Sequence, residues 1–344
     1  MKRKIGILTA GGDCPGLNAA IRGVAKTAIL EYNMEVYGIK GGFKGLIDAE
    51  YMLLPEEKVS GILTLGGTIL GTSREKPFKK AHPFDDDPEF KIKRIHDTIK
   101  ALDLDCVVCI GGNGTMKNAY KLSQAGIPVI GVPKTIDNDV WGTDATFGFD
   151  SALEICTDAI DRLHTTANSH NRIMVIEVMG HDAGWIALQS GLAGGGDVIL
   201  IPEIEYDIHV VSKYLLKRHA DGKPVSIVVV AEGIKSGKKR SPGPYIAKKI
   251  KDLTGLETRE TVLGYIQRGG TPTATDRILA TRYGRYAAEL IAQKKYDEMV
   301  TLNNNIIGSI PLSETAGKVN LVGENCRLVK TARSLGVCFG NSGL

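Results

Sequence analysis

Short apolar runs that end in glycine or acidic turns recur along the whole chain, and most are followed by apolar residues at helical spacing. Ile5-Gly6-Ile7-Leu8-Thr9 enters the turn Gly11-Gly12-Asp13-Cys14-Pro15-Gly16, and Leu17 to Leu30 then carries the helical pattern. Val36 to Ile39, Val107 to Ile110 and Pro128 to Val132 read as strands, with helices over Phe90 to Leu102 and Thr115 to Ala125. The second half repeats the pattern with strands at Ile173 to Val178, Val198 to Ile201 and Ser226 to Ala231. Its helices read at Ser151 to Thr165, Tyr245 to Leu253 and Asp276 to Gln293. Fully apolar strands alternating with helices predict an α/β fold with doubly wound, mainly parallel sheets. In such sheets ligands lie beyond the carboxyl ends of the strands.

Three chemically loaded runs follow strands in this pattern. Gly111-Gly112-Asn113-Gly114-Thr115 lets backbone N–H groups approach an anion without obstruction by a Cβ. Pro133-Lys134-Thr135-Ile136-Asp137-Asn138-Asp139 places two carboxylates two residues apart, a spacing suited to one proton acceptor and one magnesium-facing group. Leu263 to Gly270 sets Gln267 and Arg268 ahead of a glycine pair, and a guanidinium there fits a phosphoryl dianion. Together they predict phosphoryl transfer.

The length of 344 residues makes two domains the default. A net charge of +4 is too slight and dispersed for a nucleic-acid binder, and Lys248-Lys249 and Lys238-Lys239-Arg240 read as solvated surface. Lys76 to Phe90, with three prolines and Asp85-Asp86-Asp87, reads as a polar loop. The apolar stretch after Lys2-Arg3-Lys4 is too short for a secretory signal, and no run approaches ~18 apolar residues. A cytoplasmic protein without membrane partners is the expectation, and six cysteines without framework spacing agree with it. Cys106 and Cys109 lie three apart on a predicted strand, so their side chains point to opposite faces and cannot share a metal. Neither Gly-x-x-x-x-Gly-Lys-[Ser/Thr] nor a helix-opening Gly-x-Gly-x-x-Gly is present, which excludes a P-loop enzyme and counts against a dinucleotide fold.

Over essentially its whole length the chain resembles the 6-phosphofructokinase family. The resemblance is carried by Leu8 to Ala19, Gly71-Thr72-Ser73-Arg74, Thr135 to Asp139, Met179-Gly180 and Thr261 to Gly270. The Gln267 to Gly270 run and the Met179-Gly180 loop separate it from NAD kinases and diacylglycerol kinases, which share a glycine-rich run. The resemblance implies two doubly wound domains with the active site in the cleft between them. Residues 1–148 with about 268–317 would bind the phosphoryl donor, and about 149–267 with 318–344 the sugar phosphate. It implies a kinase of glycolysis that moves the γ-phosphoryl of ATP to the 1-hydroxyl of fructose 6-phosphate with Mg²⁺, giving fructose 1,6-bisphosphate.

By the same resemblance Asp137 is the base, and Asp139 faces the metal together with position 113. Gly12 and Thr135 present donors to the phosphoryl in transit, Arg74 neutralises the nucleotide phosphates and Phe43 packs on the base. Gly112, Asn113, Gly114 and Thr115 form the donor loop. Arg172, Arg259 and Arg268 clamp the 6-phosphate beside Tyr265; Glu232 accepts from sugar hydroxyls, and Met179 and Gly180 line the sugar. Arginines equivalent to Arg172 and Arg259 come from a neighbouring subunit in the family, which implies a homotetramer, with a dimer as the minimum.

Several residues depart from the family pattern. Asn113 replaces a magnesium-facing aspartate, and His181 replaces an arginine that reaches both substrates. Lys134 is similar to the pyrophosphate-using branch, whereas Gly114 is similar to the ATP-using form, because aspartate stands there in the pyrophosphate branch. Gly114 leaves space for a nucleotide α-phosphate, so ATP is the expected donor and pyrophosphate the alternative. A ligand-binding paralogue of low activity is the other reading that Asn113 and His181 raise. Arg22 resembles part of the family's effector site, but Lys26 and His164 stand where arginines are expected, which leaves regulation open.

Overall fold

A computed structural model describes residues 2–80, 86–237 and 241–341, so Lys238-Lys239-Arg240 and part of the 76–90 loop lie outside the described residues. The chain forms two compact units, Met1–Asp150 with Arg268–Val319 and Ser151–Gln267 with Asn320–Leu344. Along the chain the elements are β1 (Lys4–Thr9), α1 (Leu17–Leu30), β2 (Glu35–Ile39), α2 (Phe43–Asp48) and β3 (Tyr51–Leu53). After them come α3 (Pro88–Leu102), β4 (Cys106–Gly111), α4 (Asn113–Gln124) and β5 (Val129–Pro133). The second unit holds α5 (Phe149–His170), β6 (Ile173–Val178), α6 (Trp185–Ala193), β7 (Val198–Leu200), α7 (Ile208–Ala220), β8 (Ser226–Ala231), α8 (Pro242–Thr254) and β9 (Thr258–Val262). The chain then returns to the first unit with α9 (Ala274–Ala292), β10 (Glu298–Asn303), β11 (Ile306–Pro311) and α10 (Leu312–Thr315), and α11 (Arg327–Ser334) follows in the second.

The first unit is built on a seven-stranded sheet ordered β11-β10-β5-β4-β1-β2-β3. The five central strands run parallel, and the antiparallel partners β3 and β11 close its two edges. Except for Lys4, every residue of β1, β4 and β5 is buried, which is why these strands read as unbroken apolar runs. Val107, Cys109, Val129, Met116 and Met299 form part of the core beneath them. Both thiols of β4 are buried, and burial pushes that of Cys109 up to about 12, so they behave as small apolar groups.

The second unit has a four-stranded, all-parallel sheet ordered β7-β8-β6-β9. At its edge, β9 has the sequence Thr-Arg-Glu-Thr-Val and exposes much of its length, so no apolar run announces it. A buried carboxylate starts one of its helices: Glu177 Oε2 accepts from the Ser241 hydroxyl and, at 2.7 Å, from Gly243 N, where α8 begins. Negative charge at that end suits the helix dipole. No helix among the described residues is long and apolar enough to cross a membrane.

Candidate active site

In the first unit the carboxyl ends of β1, β4 and β5 lie side by side, with Thr9 opposite Ile110 and Gly111 opposite Pro133. Each end releases one of the loops singled out from sequence. The loop after β1 is tied to the 71–74 run: Gly11 N donates to Ser73 O at 3.0 Å, and the Thr72 hydroxyl donates to Gly11 O at 2.7 Å. The Ser73 hydroxyl donates to Gly41 O at 2.6 Å, and Arg74 follows, exposed, at the end of this strap. At Gly12 a Cβ would stand 2.7 Å from Arg268 Nη1, so the backbone here passes directly under a guanidinium. Arg268 Nη1 donates to Asp13 O at 3.2 Å, and the buried Lys134 ammonium donates to Gly12 O. Burial holds the Lys134 pKa below the ordinary lysine value.

The loop after β4 is shorter than its sequence suggests. Helix α4 begins at Asn113, two residues ahead of the expected start, which places Asn113 and Gly114 in its first turn. Gly111 is required here, because a Cβ would come within 2.1 Å of Thr115 Oγ1, which itself donates to Ala10 O at 3.4 Å. Gly114 is exposed, and a Cβ there would meet nothing within 4 Å. Unpaired backbone N–H groups and the helix dipole make such a first turn suited to an anion.

After β5 the Thr135 hydroxyl donates to Asp137 Oδ2 at 3.1 Å, while Asp137 N donates to Thr135 Oγ1 at 3.1 Å. Asn138 turns the chain with φ 51°, and its side-chain oxygen accepts from Thr146 N at 2.9 Å. The Thr146 hydroxyl donates to Thr135 O at 2.8 Å. The Asp137 carboxylate is therefore held in a buried turn, 8% exposed, at a strand end. Asn113 Nδ2 donates to Asp139 O at 3.2 Å and joins this turn to α4.

The donor types at this corner are compatible with a magnesium ion. No group of three or more His, Cys, Asp or Glu side chains forms a metal cage among the described residues. Mg²⁺ takes few protein carboxylates, however, and completes its shell with water and substrate phosphates. The half-buried Asp139 carboxylate and the Asn113 amide oxygen are the donors at hand. Replacing Asn113 by Asp should restore a charge worth ~1–3 kcal/mol to a bound dication at an effective dielectric near 20. The Asn113→Asp variant is expected to reach half-maximal rate at about tenfold lower free Mg²⁺ and to turn over faster. Superimposable magnesium curves for the two forms would remove any catalytic weight from this charge.

The structure corrects one expectation. Phe43 opens α2 and is 1% exposed within the core cluster, so its ring presents no face for a nucleotide base. The Arg268 guanidinium, in the first unit, lies over Gly12, and Arg172 and Arg259 belong to the second unit.

In the second unit, Met179, Gly180 and His181 follow β6. Met179 N donates to Oε1 of the fully buried Gln267 at 2.9 Å, and Gly180 N and His181 N donate to Glu232 Oε1 at 3.2 and 2.8 Å. Glu232 thus shapes this turn, in which His181 has φ 53°, and that oxygen is committed to backbone. The exposed His181 ring lies 3.1 Å from Asp182. Arg172 and Arg259 both pair with Glu257 Oε1, at 2.9 and 2.7 Å. Tyr265 sits on the 3-10 turn Gly264–Arg268 and is 76% exposed. Sequence reasoning missed Glu257 and Glu177, and it left Gln267 without its loop-holding contact. The only local signal for Glu257 is its position two residues before Arg259, which places both on one face of an extended segment.

Residues 4–291 match the family described as Phosphofructokinase. The chain belongs to that family. "ATP-dependent 6-phosphofructokinase 3" of Bacteroides thetaiotaomicron is 58% identical over 98% of this chain and 100% of its own length. "Pyrophosphate--fructose 6-phosphate 1-phosphotransferase" of Streptomyces coelicolor is 44% identical over 93% of this chain and 96% of its own. Among solved structures, phosphofructokinase from Saccharomyces cerevisiae superposes with a TM-score of 0.82 at 30% identity. That likeness covers 97% of this chain, which spans about half (47%) of the yeast chain.

Proposed function

We propose that this phosphofructokinase transfers the γ-phosphoryl of ATP to the 1-hydroxyl of fructose 6-phosphate, the committed phosphorylation of glycolysis, in the cytoplasm. The observation that carries the reading is the buried Asp137 turn, set on adjoining parallel strand ends with the Gly11–Gly12 loop and the first turn of α4. Asp137 takes the proton from the attacking hydroxyl, and the Thr135 hydroxyl keeps its carboxylate aimed. Gly12 N–H, Thr135, Lys134 and Arg268 surround the phosphoryl, while Arg74 and the α4 turn of Asn113, Gly114 and Thr115 carry the rest of the donor. Asp139 and the Asn113 amide oxygen would hold Mg²⁺, which would supply charge neutralisation to the donor phosphates. Arg172 and Arg259 take the 6-phosphate beside Tyr265, and Met179, Gly180, His181 and the Glu232-held turn contact the sugar.

ATP is the donor this reading favours, supported by the open space at Gly114 and by the name of the relative that is 58% identical. Pyrophosphate is the second reading, favoured by Lys134 beside Gly12 and by the name of the Streptomyces coelicolor relative. Offering each donor in turn at saturating fructose 6-phosphate decides between them: kcat/KM should be larger for ATP, and a preference for pyrophosphate would overturn the choice.

The enzyme is proposed to work as a homotetramer in which Arg172 and Arg259 complete a neighbour's site. Val262, Tyr265 and Ile266, 47, 76 and 69% exposed on the segment after Arg259, support a partner surface there. Mixing Arg172→Ala chains with Asp137→Ser chains, at a fructose 6-phosphate concentration too low for either alone to turn over appreciably, should restore part of the activity, since some mixed sites would be intact. Mixed oligomers without activity would contradict the shared site.

A further inference from the structure

Arg172 immediately precedes β6, and Glu257 immediately precedes β9. The parallel ladder sets Ile173 opposite Thr258, and Ile173 N donates to Glu257 O at 3.0 Å, which brings residue 172 level with residue 257. Residues 257 and 259 are two apart on an extended segment and share a face. The two guanidiniums converge on one carboxylate oxygen, and like charges brought that close repel. Between them Glu257 Oε1 accepts from Arg172 at 2.9 Å and from Arg259 at 2.7 Å. Arg259 Nη1 also donates to Thr258 O at 3.2 Å, and Arg172 Nε is buried with no partner among the described residues. The Arg172 guanidinium holds the Glu257 carboxyl below the usual carboxylate range, so it stays ionised at working pH.

We propose that Glu257 is a positioning residue that sets Arg172 and Arg259 side by side as one phosphate-binding fork. The inference rests on the reading of those arginines as the sugar 6-phosphate clamp. A lone exposed ion pair contributes little, but a carboxylate shared by two arginines fixes two long side chains in one geometry before the ligand arrives. The group that Glu257 leaves with a net charge of +1 still attracts a phosphoryl dianion.

The test is a KM-against-kcat comparison on the full-length oligomer, with fructose 6-phosphate as the varied substrate and oligomeric state checked in parallel. Glu257→Ala should raise KM about tenfold, the lower end of what loss of an outer partner of a ligand-binding side chain costs, with kcat changed less than ~3-fold. Glu257→Gln keeps an oxygen acceptor without the charge and should recover part of that loss, which a role in overall folding would not yield. A KM that is unchanged or lower in both variants, while Arg172→Ala and Arg259→Ala raise it, would overturn the proposal and make Glu257 a bystander or a competing anion. Arginine variants with unaltered KM would instead overturn the clamp itself, and the proposal with it.

Discussion

Replacing Asp137 by Ser is expected to lower kcat by at least ~10²-fold while leaving the KM of both substrates within a few-fold, the signature of lost general-base catalysis. The local geometry makes this variant informative. Asp137 N donates to Thr135 Oγ1, and that contact does not involve the carboxylate, so the turn keeps its backbone bond when the side chain changes. Thr146 and Asn138 continue to fix it from behind. Asp137→Asn, which preserves shape and removes only the basic oxygen, should be as slow as the Ser variant. Near-normal kcat in both would remove Asp137 from the chemistry.

Gly114→Asp should abolish most ATP use without harming the fold. The new side chain enters open space in the first turn of α4, where an acidic residue suits the helix dipole and a non-glycine residue is easier to hold helical. Stability should therefore hold or rise by ~0.5–1 kcal/mol, and loss of activity cannot be ascribed to unfolding. A carboxylate about 5 Å from a nucleotide phosphate at an effective dielectric near 20 costs about 3 kcal/mol, or ~10²-fold in kcat/KM for ATP. Turnover with pyrophosphate, which has no α-phosphate to accommodate, should suffer much less. A variant that retains ATP kcat/KM within ~3-fold of the parent would show that this helix turn does not face the nucleotide.

The parts of the fold that sequence made legible are those whose burial is symmetric. Helix α1 and strands β6 and β8 fall on the expected residues, because buried parallel strands are continuous apolar runs and the helix buries a broad face. Strand β9 escaped notice because an edge strand with exposed Arg259 and Glu260 has no apolar period. Helix α7 buries only Val211, Ser212 and Leu215, and β10 and β11 meet through the left-handed pair Asn304 and Asn305, a turn set by backbone conformation. In the candidate site, sequence located the loops because strand ends fix where loops emerge. It could not locate the tips of long side chains. Arg268 lies over Gly12, and Glu257 bridges Arg172 and Arg259, through contacts between segments far apart in sequence or on neighbouring strands. Phe43 shows the opposite failure, since an aromatic residue after a glycine pair gives no local sign of whether its ring faces ligand or core.

The most direct measurement follows the phosphoryl group itself. Purified enzyme with Mg²⁺, fructose 6-phosphate and ATP labelled at the γ-position should place the label on C1 of fructose 1,6-bisphosphate, one label per ADP formed, and the Asp137→Ser variant should transfer at least ~10²-fold more slowly. Label recovered only as free phosphate, or no sugar bisphosphate at all, would contradict phosphoryl transfer from ATP to the sugar.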